Sequence, residues 1–141
     1  MIVDFARQRL FKVLKWTSGG DSAAWDKSLE PNPHKNLEAT TDLNEADIVT
    51  SEVVQIFGNL GSDNARHMVM FDVDIPMVVI PSTTPGHNHV YFPKTHVRKD
   101  ELFNLLDALA SAGIVERGYA EASKARGFTA LRLPWVPKRH V

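Results

Sequence analysis

The sequence predicts an α+β domain in which an antiparallel β-meander carries helices packed on one face. Three observations predict it. Short β-branched runs, separated by Gly, Pro and Asn, fill the middle of the chain from Ile48 to Phe92. Asp100–Ala112 is a strongly amphipathic segment with Leu102, Leu105, Leu106 and Leu109 on one stripe, acidic residues in its first turn and Gly113 after it. Beyond it, a short apolar run, a second helix and a last apolar run alternate.

Taken in order, Ile2, Phe5, Ala6, Leu10, Val13 and Leu14 recur near a 3.6-residue period, which predicts a helix over residues 2–16. Ser18–Asn44, with Gly19-Gly20, Pro31, Pro33 and many polar residues, predicts an irregular segment. Such a length is unusual inside a compact domain. Residues 1–44 are therefore expected to be an N-terminal helix with a polar segment, and residues 45–141 the core domain. Ile48–Phe57 is the first expected strand and Gly58–Asn64 a turn. His67–Ile75, Met77–Pro81 and Asn88–Phe92 follow as strands. After the helix come a short strand at Ile114-Val115, a helix over Tyr119–Arg126 stopped by Gly127, and a final strand Phe128–Leu133 ended by Pro134.

Composition narrows the function. The chain has 141 residues, 43% of them hydrophobic and 23% charged, as in an average globular protein. It has no cysteine, which excludes a disulfide scaffold, a cysteine-ligated zinc or iron–sulfur site and a thiol enzyme. The net charge of −1 argues against a strongly basic DNA-coating protein. The charge is uneven: residues 1–93 hold 7 Lys/Arg against 12 Asp/Glu, residues 94–141 hold 9 against 5. A cationic surface beside an acidic site, or ordinary variation between solvated faces, accounts for this. No apolar run is long enough to span a membrane, and the N-terminus lacks the pattern of a secretory signal. A cytoplasmic protein without membrane partners is expected.

Three short segments carry candidate chemistry. In Phe71-Asp72-Val73-Asp74-Ile75-Pro76, strand alternation places Asp72 and Asp74 on one face. Adjacent carboxylates repel unless a cation bridges them, and Mg²⁺ or Mn²⁺ suits oxygen ligands. A solvent-facing strand end before Pro76 explains the same pair. In Pro81–Phe92, hydroxyls of Ser82, Thr83 and Thr84, Gly86 and the histidines His87 and His89 are gathered in a loop feeding a strand. Such a loop can hold phosphate oxygens, and it is also an ordinary Pro/Gly turn. In Ser123–Lys138, Lys124, Arg126, Arg132 and Lys138 surround a Gly turn and Trp135. Arginine forks onto phosphate and Trp stacks on bases; a basic helix end with a core Trp is the plainer reading.

The order of these segments, Asp-x-Asp, then a Ser/Thr-Pro-Gly loop entering a His-x-aromatic strand, then Arg132-Leu133-Pro134, resembles the catalytic core of the archaeo-eukaryotic primase and primase-polymerase superfamily, especially short phage and plasmid replication primases. The resemblance covers residues 66–138. It implies a palm core of RRM-like form. It implies that Asp72 and Asp74 ligate Mg²⁺ or Mn²⁺, and that His89 with Ser82, Thr83 and Thr84 contacts the phosphates of a nucleoside triphosphate. Arg132-Leu133-Pro134 would lie near template or nucleotide. The family's third carboxylate has no clear match: Asp107 falls on the helix, and Glu116 and Glu121 lie in no matching motif.

Three functions compete. The first is a DNA-primase-like, metal-dependent nucleotidyl transfer serving phage or plasmid replication, with Asp72, Asp74 and His89 as catalytic residues and His87, Lys124, Arg126, Arg132 and Lys138 toward phosphate or template. The second is a small phage-type protein without catalysis that binds single-stranded nucleic acid or a host protein. The third is a metal-dependent nuclease using Asp72, Asp74, His87 and His89.

Overall fold

The computed structural model describes residues 3–16, 36–54 and 65–138. The chain is α+β, with two antiparallel sheets and two α-helices among the described residues. It divides into two compact units, residues 1–71 and 72–141.

The first unit is a three-stranded sheet in the order β2-β1-β3, built from β1 (Gln8–Val13), β2 (Leu37–Thr40) and β3 (Ile48–Val53). Here the predicted N-terminal helix is overturned. After a 3-10 turn at Phe5–Arg7, the chain runs as the central strand. Leu10 explains why. It pairs with Thr40 on one side and Val49 on the other, and is buried between them with Val13. The apolar spacing satisfies a helix locally, but partners on both edges of β1 pair its backbone and bury Leu10 and Val13. Leu37–Thr40, expected to be irregular, supplies one of those ladders.

The β1–β3 ladder shifts register between Gln8 and Leu10. The buried Gln8 Nε2 donates to the carbonyls of Thr50, Ser51 and Glu52 at 3.1, 2.9 and 3.3 Å across that irregularity. A side chain thus takes over acceptors that a bulged ladder leaves behind. Asp47 Oδ2 accepts the Val13 N–H at 2.8 Å, and Thr50 Oγ1 donates to the Arg9 carbonyl at 2.8 Å.

The second unit holds a hairpin and a helix pair. β4 (Val78–Pro81) pairs with β5 (Asn88–Tyr91) in the register Val78↔Tyr91 to Pro81↔Asn88. α1 (Lys99–Ser111) and α2 (Arg117–Arg126) pack on each other. Leu106 on α1 and Ala120 and Ser123 on α2 are the buried residues of this pair, and the two small residues on α2 permit close approach of the helices. Leu105, counted in the predicted stripe, is half exposed. Residues Leu102, Leu106 and Leu109, spaced four and three apart, turn less than fully outward, and Leu105 lies at the edge of that seam.

Three predicted strands are absent. Of His67–Ile75 only His67 makes a β-bridge, to Glu52, and residues 68–75 belong to no strand. Ile114-Val115 folds back on α1, with the Ile114 N–H donating to the Leu109 carbonyl at 2.9 Å. Phe128–Leu133 belongs to no strand. β-branched composition marks an extended chain; it does not supply a neighbour to pair with. The predicted turn Gly58–Asn64 and residues 18–35 of the polar segment lie outside the described residues. Among the described residues, no helix is long and apolar enough to cross a membrane.

Candidate nucleotide-binding site

The loop between β4 and β5 is built from its own side chains. Ser82 Oγ accepts the Thr84 N–H at 3.1 Å, a hydroxyl-closed turn. The His87 N–H returns to the Thr84 carbonyl at 3.0 Å, and Gly86 has φ 79°. Pro85-Gly86 at the centre of that four-residue turn is the signature of type II, which needs a positive φ at its third position. The Ser82 N–H donates to the His87 carbonyl at 2.9 Å and closes the loop. Three loop amides are therefore spent inside the loop, so a grip on phosphate here falls to side chains rather than to a backbone nest.

One of those side chains arrives from far along the chain. Arg132 Nη2 donates to Thr83 Oγ1 at 2.8 Å, across 49 residues of sequence. A guanidinium carries five N–H donors in a planar fork, so one bond to a hydroxyl anchors it and leaves the fork for an anion. His89 stands on β5 opposite Ile80 and is half-buried, while His87 is exposed at the loop's end.

Asp72 and Asp74 are placed differently from expectation. Both are exposed, on the non-strand stretch that leads to Pro76 and β4. The strand alternation that would align them does not operate there. Among the described residues, no group of three or more His, Asp or Glu side chains is gathered to hold a metal ion. The alternative third carboxylates are committed elsewhere. Asp107 Oδ1 accepts from Arg117 Nη1 at 3.3 Å and Lys124 Nζ at 3.0 Å, and Glu121 Oε1 meets Lys124 at 3.2 Å. Glu116 is the N-cap residue of α2.

The predicted cations also divide. Lys124 cross-links α1 and α2, and its ammonium is held above the ordinary lysine value, first by the hydrogen bond to Asp107 and then by that to Glu121. In this arrangement it ties the two helices together. Arg126 Nε donates to the Phe128 carbonyl at 2.9 Å and its Nη2 to Ser123 Oγ at 3.3 Å. Its guanidinium lies 5.6 Å from the Phe128 ring centre. Lys138 is exposed. The sequence marks Phe128 only as the start of a strand; its position two residues after Arg126, across Gly127, is the signal for this contact.

No protein-family model, no curated protein and no solved structure matches this chain.

Proposed function

We propose that the chain binds nucleoside triphosphate through the Ser82–His87 loop and Arg132, as a domain of primase-polymerase kind. The observation that carries the reading is the Arg132–Thr83 hydrogen bond at 2.8 Å. It brings together two of the three segments whose order motivates the resemblance, and it does so within one compact unit. A guanidinium over a hydroxyl-rich loop is a phosphate partner on chemical grounds. His87 ends the same loop and His89 follows it on β5, and both add donors to a phosphate when protonated.

Asp72 and Asp74 fit a divalent ion only in part. They offer two hard oxygen donors, and Mg²⁺ is commonly held by one or two carboxylates together with substrate phosphates. A bound Mg²⁺ or Mn²⁺ would neutralise phosphate charge at this site. The protein's own contribution is to anchor and orient: Thr83 fixes the guanidinium, and the closed loop fixes Thr83. Nucleotidyl transfer in replication would need a fuller carboxylate set than Asp72 and Asp74.

That shortfall favours a second reading, a binder without catalysis whose target is nucleic acid or a host protein. The specific observation is that Asp107 and Glu121 are paired with Lys124 rather than turned toward a metal.

Calorimetric titration of ATP in the presence of Mn²⁺ tests the first reading. Wild type should bind, and Arg132→Ala should weaken binding about 10- to 100-fold, as expected for a charge-assisted hydrogen bond worth about 1.5–3 kcal/mol. Asp72→Ala/Asp74→Ala should remove the Mn²⁺-dependent part alone. Wild type that binds no ATP, or an Arg132→Ala variant that binds as wild type does, overturns it.

A further inference from the structure

We propose that the first unit binds a small amphiphilic anion, an apolar body ending in one carboxylate, in the notch where β1 runs on past the end of β2. The inference goes beyond the nucleotide reading, since every residue it uses belongs to residues 1–71 and lies outside the segments that motivate that reading.

The notch follows from the register. β1 pairs with β2 only from Leu10↔Thr40 to Val13↔Leu37, so Gln8 and Arg9 extend beyond the end of β2. The other edge of β1 stays occupied there: Gln8 pairs with Val53, and the Val54 N–H donates to the Arg7 carbonyl at 2.8 Å. After Thr40 the chain leaves the ladder through its own side chains. Thr40 Oγ1 accepts the Asp42 N–H at 3.0 Å, and Asp42 Oδ1 accepts the Asn44 N–H at 2.9 Å, two successive side-chain-closed turns. The overhang of β1 and the end of β2 line a cavity of about 570 Å³. Cavities that take small organic ligands run from roughly 300 to 1,000 Å³.

The lining selects the ligand class. Ala6, Leu10, Ala39 and Val54 give the cavity apolar walls. Among the described residues, Arg9 is the one charged residue that lines it, and Thr40 and Thr41 add hydroxyls. The Thr40 hydroxyl accepts from Asp42 and keeps its own hydrogen to donate. Arg9 is anchored without being used up. Its Nη1 meets Glu52 Oε2 at 3.4 Å, and its guanidinium lies 4.8 Å from the Phe11 ring centre. A guanidinium has five N–H donors, so this pairing leaves others for a second anion. Apolar walls with one cation and hydroxyl donors complement a hydrocarbon body with one anionic head. A single cation is too few for a nucleoside triphosphate. No carboxylate or histidine lines the cavity among the described residues, so a divalent ion lacks its customary ligands there.

Amide-resolved NMR of the full chain tests the site, with octanoate as the anion and 1-octanol as its uncharged counterpart. Octanoate should give saturable shifts centred on residues 6–10, 39–41 and Val54. It should bind about 10-fold more tightly than 1-octanol, the least expected of a charge-assisted hydrogen bond. Arg9→Gln should abolish that preference and leave 1-octanol binding as in wild type. Ala39→Leu, which adds bulk to the lining, should weaken both ligands alike. The unliganded spectra check that the variants are folded, and the comparison of the two ligands in wild type stands without them. Vesicles of phosphatidylglycerol separate a free acid from a lipid headgroup: the chain should not sediment with them. Absent octanoate shifts, shifts centred elsewhere, equal affinity for 1-octanol, or a folded Arg9→Gln variant that keeps the preference overturns the proposal. Sedimentation with the vesicles overturns it as well, in favour of a membrane surface as the source of the anion.

Discussion

Lys124 shows how one side chain can belong to packing although its neighbourhood in sequence suggests a ligand. Its ammonium lies 3.0 Å from Asp107 Oδ1 on α1 and 3.2 Å from Glu121 Oε1 on its own helix. Both bonds favour the charged form, so its pKa is raised from the ordinary 10.5. A cation whose folded value exceeds its unfolded value contributes stability that is whole below the unfolded value and disappears as pH climbs through the folded one. Lys124→Met should therefore lower the melting temperature near neutrality. The gap from wild type should close once the pH passes above the raised lysine value. Thermal melts of both proteins from pH 7 to beyond pH 11 check this; a gap that stays constant with pH would mean that the packing of the lysine stem, not its charge, is what matters. Asp107 bears on the candidate site through the same bonds, since a carboxylate shared by Lys124 and Arg117 is already neutralised where it stands.

At the scale of elements, one glycine inside α2 and one that caps it have opposite roles. Gly118 lies in its first turn, with φ outside the left-handed region and nothing within 4 Å of an added Cβ. Gly127 caps its C-terminus at φ 94°, also with open space around it. Sterics with neighbours decide neither substitution, so backbone preference decides both. Gly118→Ala should stabilise by about 0.5 kcal/mol through the less flexible unfolded chain, and Gly127→Ala should destabilise by about 1 kcal/mol because alanine resists the left-handed region. Urea unfolding of the two variants should give shifts of opposite sign. This C-cap was legible in the sequence, as was α1 with its leucines and Gly113, since helix signals lie within one or two turns of the residues they govern. The hairpin β4–β5 was legible too, because Pro85-Gly86 marks its turn between two β-branched runs. β1 was not. Its apolar spacing suits a helix, and the partners that make it a strand, Thr40 and Val49, are far away in sequence. That Phe128–Leu133 forms no strand was hidden for the converse reason: the composition is that of a strand, and among the described residues no neighbour pairs with it. The loop residues Ser82, Thr83 and Thr84 could be named from sequence, but the side chain that meets them, Arg132, could be placed there only through folding of the second unit.

At the scale of the whole molecule, each of the two units has, among the described residues, a small core of its own. Among the described residues, buried apolar side chains are Leu10 and Val13 in the first unit and Leu106 and Ala120 in the second. Units of about 70 residues bury only around 60% of their unfolded surface and are marginal on that account. A single buried leucine is then a large share of each unit's stability. Leu106→Ala removes the buried leucine of the α1–α2 pair, and Leu10→Ala the one on the central strand between β2 and β3. Each should cost about 2–5 kcal/mol, comparable with the entire stability of a domain this small. Native-state hydrogen exchange locates the loss. Leu106→Ala should lower protection most over Lys99–Ser111 and Arg117–Arg126, and Leu10→Ala most over Gln8–Val13 and Ile48–Val53. Uniform loss over the whole chain from either substitution would mean that the two cores unfold as one cooperative body. Loss confined to one unit makes a sharper functional test available: Leu10→Ala should then leave ATP binding at Arg132 intact, because the loop and its guanidinium are both built from residues beyond Phe71.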